Sequence, residues 1–126
     1  MSEIVHDGKV CGRTGCRKVR AKVDTGSFGT IVPRSVADAA GVVYTGAETS
    51  ALGVGNKRTK LREAEAKVCI PKCGCRTQRV FVANDGALHG EVLVGMDYLN
   101  GMRAVVDASN GRIRCKCRRP KKRSRR

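Results

Sequence analysis

Apolar and polar residues alternate along much of this chain with a period of two, the pattern of strands that have one buried face. In residues 18–23 lysine and arginine alternate with valine and alanine. This stretch predicts the second arm of a β-hairpin over residues 9–26, with Gly12 and Gly15 in its turn. A similar alternation predicts a strand over residues 62–70.

Two short stretches interrupt the strand pattern and predict helices. Residues 30–42 predict a short strand followed by a helix, with Pro33 in the first turn and Gly41 at the end. Residues 96–101 predict one or two helical turns that stop at Gly101. Together with roughly eight short strands, this predicts an all-β fold, a small closed barrel of hairpins with one or two short helices.

The charge of the chain is concentrated at its C-terminal end. The chain has 126 residues and a formal net charge of +15, and residues 112–126 contain ten lysines or arginines and no acid. We therefore expect one domain over residues 1–114 and a basic, disordered tail over residues 115–126. Such a tail could bind nucleic acid or an acidic partner, act as a nuclear signal, or only increase solubility.

The distribution of apolar residues also bears on location. No run approaches the roughly 18 apolar residues of a membrane helix, and the first ten residues have no apolar core of the secretory type. We expect no membrane association and an intracellular protein, which would be cytoplasmic, or nuclear in a eukaryote.

Seven cysteines leave three interpretations open. In an intracellular protein, free thiols or metal ligands are favoured over a disulfide framework, and free thiols are the commonest case. A structural zinc site would use two hairpin turns, although the cysteine spacings are not the usual ones. Redox-active disulfides are the third interpretation. The zinc site would combine Cys11, Cys16, Cys73 and Cys75, while Cys115 and Cys117 lie beside the tail.

Asp24 is the strongest candidate for chemistry. It follows an apolar strand and begins the sequence Asp-Thr-Gly-Ser. Taken alone, such an aspartate is more often a loop carboxylate that caps a turn. His6 and His89 have no obvious partners, and we interpret both as surface residues.

The surroundings of Asp24 resemble the retropepsin-like aspartic protease family. The similarity includes "AKVDTGS" (21–27), "TIVPRSVADAAGV" (30–42), the hairpin "LGVGNKR" (52–58) and "VLVGMDYLNGMRAVVDASNGRI" (92–113). The order and spacing of these segments agree across about residues 9–114. The resemblance implies an acid protease fold, and the family's members are homodimers.

The resemblance also assigns roles to individual residues. It implies that Asp24 is catalytic, one from each subunit, and that water between the two carboxylates attacks the peptide bond without cofactor or metal. Ser27 would donate a hydrogen bond to the Asp24 carboxylate and lower the working pH. Thr25 and Gly26 would complete the active-site loop. The flap would contain Gly53, Val54 and Gly55, and the apolar substrate pocket would be lined near Val54, Ala87 and Leu88.

Two alternatives to a peptidase stay open at this point. A basic, cysteine-rich nucleic-acid-binding module would explain the charge and the cysteines, but not the Asp-Thr-Gly-Ser segment or the long alternating strands. It would also lack the aromatic residues on which single-stranded nucleic acids stack. A retropepsin fold without activity, serving in dimerisation, is the second alternative, and the intact residues 24–26 argue against it.

Overall fold

The structure is a computed structural model that describes residues 3–52, 58–88 and 90–115. Strands dominate the described chain, and two short helices interrupt them. A 3-10 turn covers Asp85–Ala87. The elements in chain order are β1 (Val5–Gly12), β2 (Gly15–Val23), β3 (Ile31–Pro33), α1 (Arg34–Ala40), β4 (Val43–Leu52), β5 (Arg58–Ile70), β6 (Gly74–Ala83), β7 (Val92–Val94), α2 (Met96–Gly101), β8 (Ala104–Asp107) and β9 (Arg112–Cys115).

Six strands close into a barrel. Their order is β1-β2-β7-β3-β6-β5, and β1 also pairs with β5, which completes the ring. Strand β4 pairs with β5 outside the ring, while β8 and β9 form a separate two-stranded sheet. The predicted all-β closed barrel with two short helices is confirmed, and closure removes most of the exposed strand edges.

The β1–β2 hairpin packs against the end of α1. The two strands pair up to Gly12 and Gly15, so the turn contains Arg13 and Thr14. The amide of Arg13 donates to the Gly41 carbonyl (2.8 Å), and the amide of Thr14 donates to the Ala40 carbonyl (3.0 Å). Gly41 has φ of 76°, which suits glycine and ends the helix where the sequence predicts.

The strands have two different buried faces. Residues 64, 66, 68 and 70 of β5 and residues 80 and 82 of β6 point into the main core inside the barrel, together with Val32, Val92, Val94 and Tyr98. At the other end of the same strands, odd-numbered residues form a second apolar cluster. That second cluster consists of the buried Leu61, Ala83 and Leu88, with the partly buried Ile31, Ala51, Phe81 and Leu93 packed against them.

Disulfides join six of the seven cysteines, which corrects the expectation of thiols or metal ligands. The pairs are Cys11–Cys16, Cys69–Cys75 and Cys73–Cys115. The first two join residues directly opposite each other in antiparallel strands, with Cα atoms 4.0 Å apart. The four cysteines of the expected zinc site therefore belong to three different pairs. Cys117 lies outside the described residues.

Two connections hold the β8–β9 sheet to the barrel. The Cys73–Cys115 disulfide joins β9 to the β5–β6 turn, and the amide of Ile113 donates to Nε2 of His6 (3.2 Å). His6 is half-buried and accepts this bond, so the expectation that it has no partner is wrong. His89 lies outside the described residues. Strand β9 includes Cys115, the first residue of the predicted tail, and the rest of the tail lies outside the described residues. Neither helix of the described chain has the length and apolar character needed to cross a bilayer.

Tyr98 connects α2 to the β5–β6 turn, and its removal provides a test of the core. Its side chain is fully buried, and its hydroxyl donates to the Gly74 carbonyl (2.7 Å). Burial raises the pKa of this phenol to about 12. We expect Tyr98→Phe to reduce the free energy of unfolding by about 1–3 kcal/mol, because the carbonyl loses its donor. Urea denaturation measures this change, and unchanged stability would contradict the assigned hydrogen bond.

Candidate functional site

Asp24 begins a loop, residues 24–30, that joins β2 to β3 at one end of the barrel. Its amide donates to the Val94 carbonyl of β7 (2.9 Å), which extends the parallel pairing of β2 with β7. The Asp24 carbonyl accepts from the Ser27 amide (3.0 Å), and Oδ1 accepts from the Gly26 amide (3.0 Å). These bonds fix the turn and the orientation of the carboxylate.

The loop presents its first residues to the outside of the single chain. Asp24 is half-buried, while Thr25 and Gly26 are exposed. Phe28 is 89% exposed, an unusual position for a large apolar side chain. It borders a groove of about 440 Å³ between the loop, β6 and α2, whose walls include Phe81, Met96 and Asn100.

Ser27 lies in the loop as expected, but its hydroxyl has a different partner. It donates to the Gly29 carbonyl (2.7 Å). A hydroxyl has one hydrogen to donate, so this bond excludes a simultaneous donation to Asp24. The expected influence of the Ser27 hydroxyl on the Asp24 carboxylate is therefore wrong in this structure, and Ser27 acts on the shape of the loop.

The start of α2 packs directly beneath the Asp24 loop. The amide of Met96 donates to the Ser27 carbonyl (2.8 Å), and the amide of Asp97 donates to the Phe28 carbonyl (3.2 Å). Gly95 makes this approach possible, because a Cβ there would lie 2.8 Å from the Ser27 carbonyl oxygen and closer still to that of Gly29. The two sequence segments that resemble the family signatures are thus in contact.

The Asp97 carboxylate is the centre of a polar network beneath the loop. Thr30 donates twice to it, through its amide (3.1 Å) and its hydroxyl (2.7 Å). Nε2 of Gln78 (2.9 Å) and the amide of Tyr98 (2.7 Å) provide two more donors. The Thr30 hydroxyl oxygen in turn accepts from the Gly95 amide (3.2 Å). Thr30 and Gln78 are buried, so the network satisfies polar groups that water does not reach.

An apolar wall continues from the loop across the neighbouring strands. Ile31 and Leu93 are directly paired between β3 and β7, and Phe81 is paired with Ile31 from the other side. All three are partly exposed and lie on the second cluster. The predicted pocket residue Leu88 is 6% exposed and packs within that cluster. Ala87 ends the preceding 3-10 turn.

The loop that contains Ala87 is held against α1 by a carboxylate. The Ser35 amide donates to Oδ1 of Asp85 (2.9 Å). Hydrogen bonding from Ser35, by its side chain first and its amide second, lowers the pKa of Asp85 below its ordinary value. Asp85 therefore stays ionised, and the bond persists, at mildly acidic pH.

The predicted flap residues Gly53, Val54 and Gly55 lie outside the described residues. Strands β4 and β5 are paired up to Leu52 and Arg58, so the undescribed segment joins the ends of a long hairpin. Its function as a flap stays a prediction. Within residues 3–52, 58–88 and 90–115, no cluster of three or more potential metal ligands occurs.

Sequence reasoning missed the residues that support the loop from below. Thr30, Gln78 and Asp97 are far apart in the chain, and no local pattern indicated their contact. The alternation of strand residues did provide a signal for Ile31 and Leu93. Ile31 is the first residue of β3 and Leu93 the middle residue of β7, and each lies next to a buried residue, so each faces away from the main core. Phe28 carried no signal other than its position beside the predicted active-site loop.

Comparison with known proteins identifies the family. A family model described as aspartyl protease matches residues 7–98, which include the Asp24 loop, β7 and the Asp97 network. Because this match covers most of the chain, the protein belongs to the aspartyl protease family. A search of the curated proteins found no match.

Two solved structures share the fold. The retroviral protease-like domain of Ddi1 from Leishmania major has a TM-score of 0.66 and 16% identity, over 92% of this chain and 90% of that domain. EIAV protease, in a complex with the inhibitor HBY-793, has a TM-score of 0.63 and 14% identity, over 84% of this chain and 93% of the viral chain. The retropepsin-like fold expected from the sequence is therefore confirmed.

The contact beneath the Asp24 loop predicts the effect of Gly95→Ala. The added methyl would meet backbone carbonyls that cannot rotate away, so the loop or α2 must shift. We expect a loss of about 1–3 kcal/mol in unfolding free energy. Gly86→Ala is the matched control, because a Cβ at Gly86 meets no atom within 4 Å. Thermal unfolding that affected both variants equally would contradict the proposed close approach.

Proposed function

We propose that this protein is an aspartic endopeptidase that acts as a homodimer, with one Asp24 from each subunit. The observation that carries the proposal is the position of Asp24 in a loop fixed by β7 and α2, with exposed residues directly after it. One chain supplies one such loop. A twofold axis through two copies would bring the same loop to itself and create a pair of carboxylates.

The chemistry of that pair follows from charge repulsion. Two carboxylates about 3 Å apart do not both ionise readily, so the pair holds one proton between them. The ionised Asp24 would take a proton from a bound water, which attacks the scissile carbonyl. The protonated Asp24 of the other subunit would polarise that carbonyl and then protonate the leaving amine. The two observed pKa values would belong to the pair.

Neighbouring residues complete the proposed site. Exposed Thr25 is available to bond with the partner's loop, and Gly26 leaves room for close backbone approach. The segment with Gly53, Val54 and Gly55 would close over the bound peptide and exclude water. The wall formed by Ile31, Phe81 and Leu93, with Ala87 and Leu88 in the adjoining loop, favours a peptide substrate with apolar side chains beside the cleaved bond.

Cleavage by the Asp24→Asn variant tests the assigned catalytic residue. We expect purified wild-type protein to cleave apolar peptides at mildly acidic pH and to be inhibited by pepstatin-type compounds. Asp24→Asn should reduce kcat by about 100-fold to 10,000-fold, because the variant lacks the general base. Asp7→Asn on the exposed face of β1 is the matched control and should retain activity. Peptide cleavage by Asp24→Asn, or none by the wild type, would refute the proposal.

Mixing wild-type and Asp24→Asn protein tests whether the site is shared. If subunits exchange at random, an equimolar mixture leaves about half of the wild-type chains in fully active dimers, and a ninefold excess of variant leaves about one tenth. Activity per wild-type chain should therefore fall to about half and about one tenth of its value in the unmixed protein. Asp7→Asn in the same proportions controls for dilution. Activity that stays proportional to wild-type chain concentration would show that each chain acts alone.

A further inference from the structure

We propose that the outer face of the barrel binds the phosphate backbone of duplex nucleic acid through Lys9, Lys18 and Lys67. These three residues are called the lysine face below. The inference does not depend on peptidase activity, and it concerns the side of the sheet that faces away from the main core.

Strand register brings the three lysines together. Lys9 on β1 is directly opposite Lys18 on β2, and on its other side β1 pairs with β5, which carries Lys67 opposite Cys11. Directly opposite side chains have Cβ atoms about 4.5–5.5 Å apart, and diagonal neighbours are about 7–8 Å apart. All three residues are exposed. Three neighbouring strands therefore present three cations on one surface.

None of the three lysines of the lysine face forms an ion pair within the described chain. Among residues 3–52, 58–88 and 90–115, the cations Lys22, Arg34 and Lys60 form ion pairs with nearby carboxylates, whereas Lys9, Lys18 and Lys67 form none. Like charges directly opposite each other destabilise a sheet. A Lys9–Lys18 pair therefore reduces stability unless an anion outside the chain neutralises it, and this is the reason to assign the surface to binding.

The cationic surface continues beyond the sheet. A groove of about 560 Å³ lies between β2 and α1. Arg17 and Lys18 line it on the β2 side and Ser35 on the α1 side, and its lining contains no acidic residue. The outer face also carries acids: Asp7 is two residues from Lys9, and Glu65 is two residues from Lys67. The arginines opposite them in the register, Arg20 and Arg79, form their ion pairs with Glu91 and Glu63.

Charge density favours duplex nucleic acid as the partner. Strands β2, β1 and β5 span roughly 10 Å. Duplex DNA has one negative charge about every 1.7 Å of its axis, so several phosphates would lie within reach of this width. An acidic peptide would need an unbroken run of acids to supply the same density. The lysine face also has no aromatic side chain for base stacking, so contacts to the backbone, without sequence preference, are expected.

Salt-dependent binding of full-length protein to a fluorescein-labelled, random-sequence duplex tests the assignment. Each phosphate contact contributes about −0.9 to the slope of log K against log salt concentration. The triple variant Lys9→Gln, Lys18→Gln, Lys67→Gln should therefore reduce the magnitude of the slope by about 2–3. The matched control Lys22→Gln, Arg34→Gln, Lys60→Gln removes the same charge from ion-paired positions, and it should change the slope by less than about 1.

Three results would overturn the proposal. Equal loss in both triple variants would show that only net charge matters, and an unchanged slope in the lysine-face variant would assign all binding to other residues. Equally tight binding of poly-glutamate at the same charge concentration would favour an acidic protein partner. Thermal unfolding separates binding from folding, since removal of the like-charged lysines should leave the melting temperature equal or higher.

Discussion

The candidate site depends on one carboxylate that is not itself proposed to react. Asp97 accepts four hydrogen bonds from Thr30, Gln78 and Tyr98, and through Thr30 it fixes the last residue of the Asp24 loop. All four groups are hydrogen-bond donors, so both oxygens of the Asp97 carboxylate have partners. A loop held only by its own turn would leave Asp24 free to move. Because α2 holds the Asp24 loop from below, the loop can meet the loop of a second copy in a fixed geometry. Catalysis by paired groups needs such a fixed geometry.

The barrel supplies the second requirement, an apolar surface next to the loop. Strands β7, β3 and β6 are neighbours in the ring, and apolar residues pack on both of their faces. One face fills the main core, while Ile31, Phe81 and Leu93 point the other way and remain partly exposed. The strands that bury the core thus also form the wall beside Asp24, and core stability and substrate contact depend on the same short segments.

Local patterns predicted the elements well and the contacts between distant residues poorly. Alternation identified the β1–β2 hairpin, and Pro33 and Gly41 marked the ends of α1, because these signals depend on neighbouring residues. The cysteine pairs depend on strand register. Cys73 and Cys75 are close in sequence, which suggested that they share one site. In the sheet, however, Cys75 is opposite Cys69 and forms its disulfide with that residue. The contact between Asp97 and Thr30 joins residues 67 positions apart, and no periodic pattern in the sequence indicates it.

Disulfides lie beside the like-charged Lys9–Lys18 pair and offset its repulsion. On the outer face of the β1–β2 hairpin, the pair that follows Lys9 and Lys18 is the disulfide-bonded pair Cys11–Cys16. Cys69 is opposite Lys9 on β5 and is bonded to Cys75 on β6. Cys11–Cys16 joins the two strands that carry the like-charged Lys9 and Lys18, and a disulfide stabilises mainly because it reduces the freedom of the unfolded chain. The Asp24 loop follows β2, the strand that carries Lys18, but it is fixed by its own hydrogen bonds to β7 and α2. The same sheet can in this way carry a charged surface and a fixed site without one distorting the other.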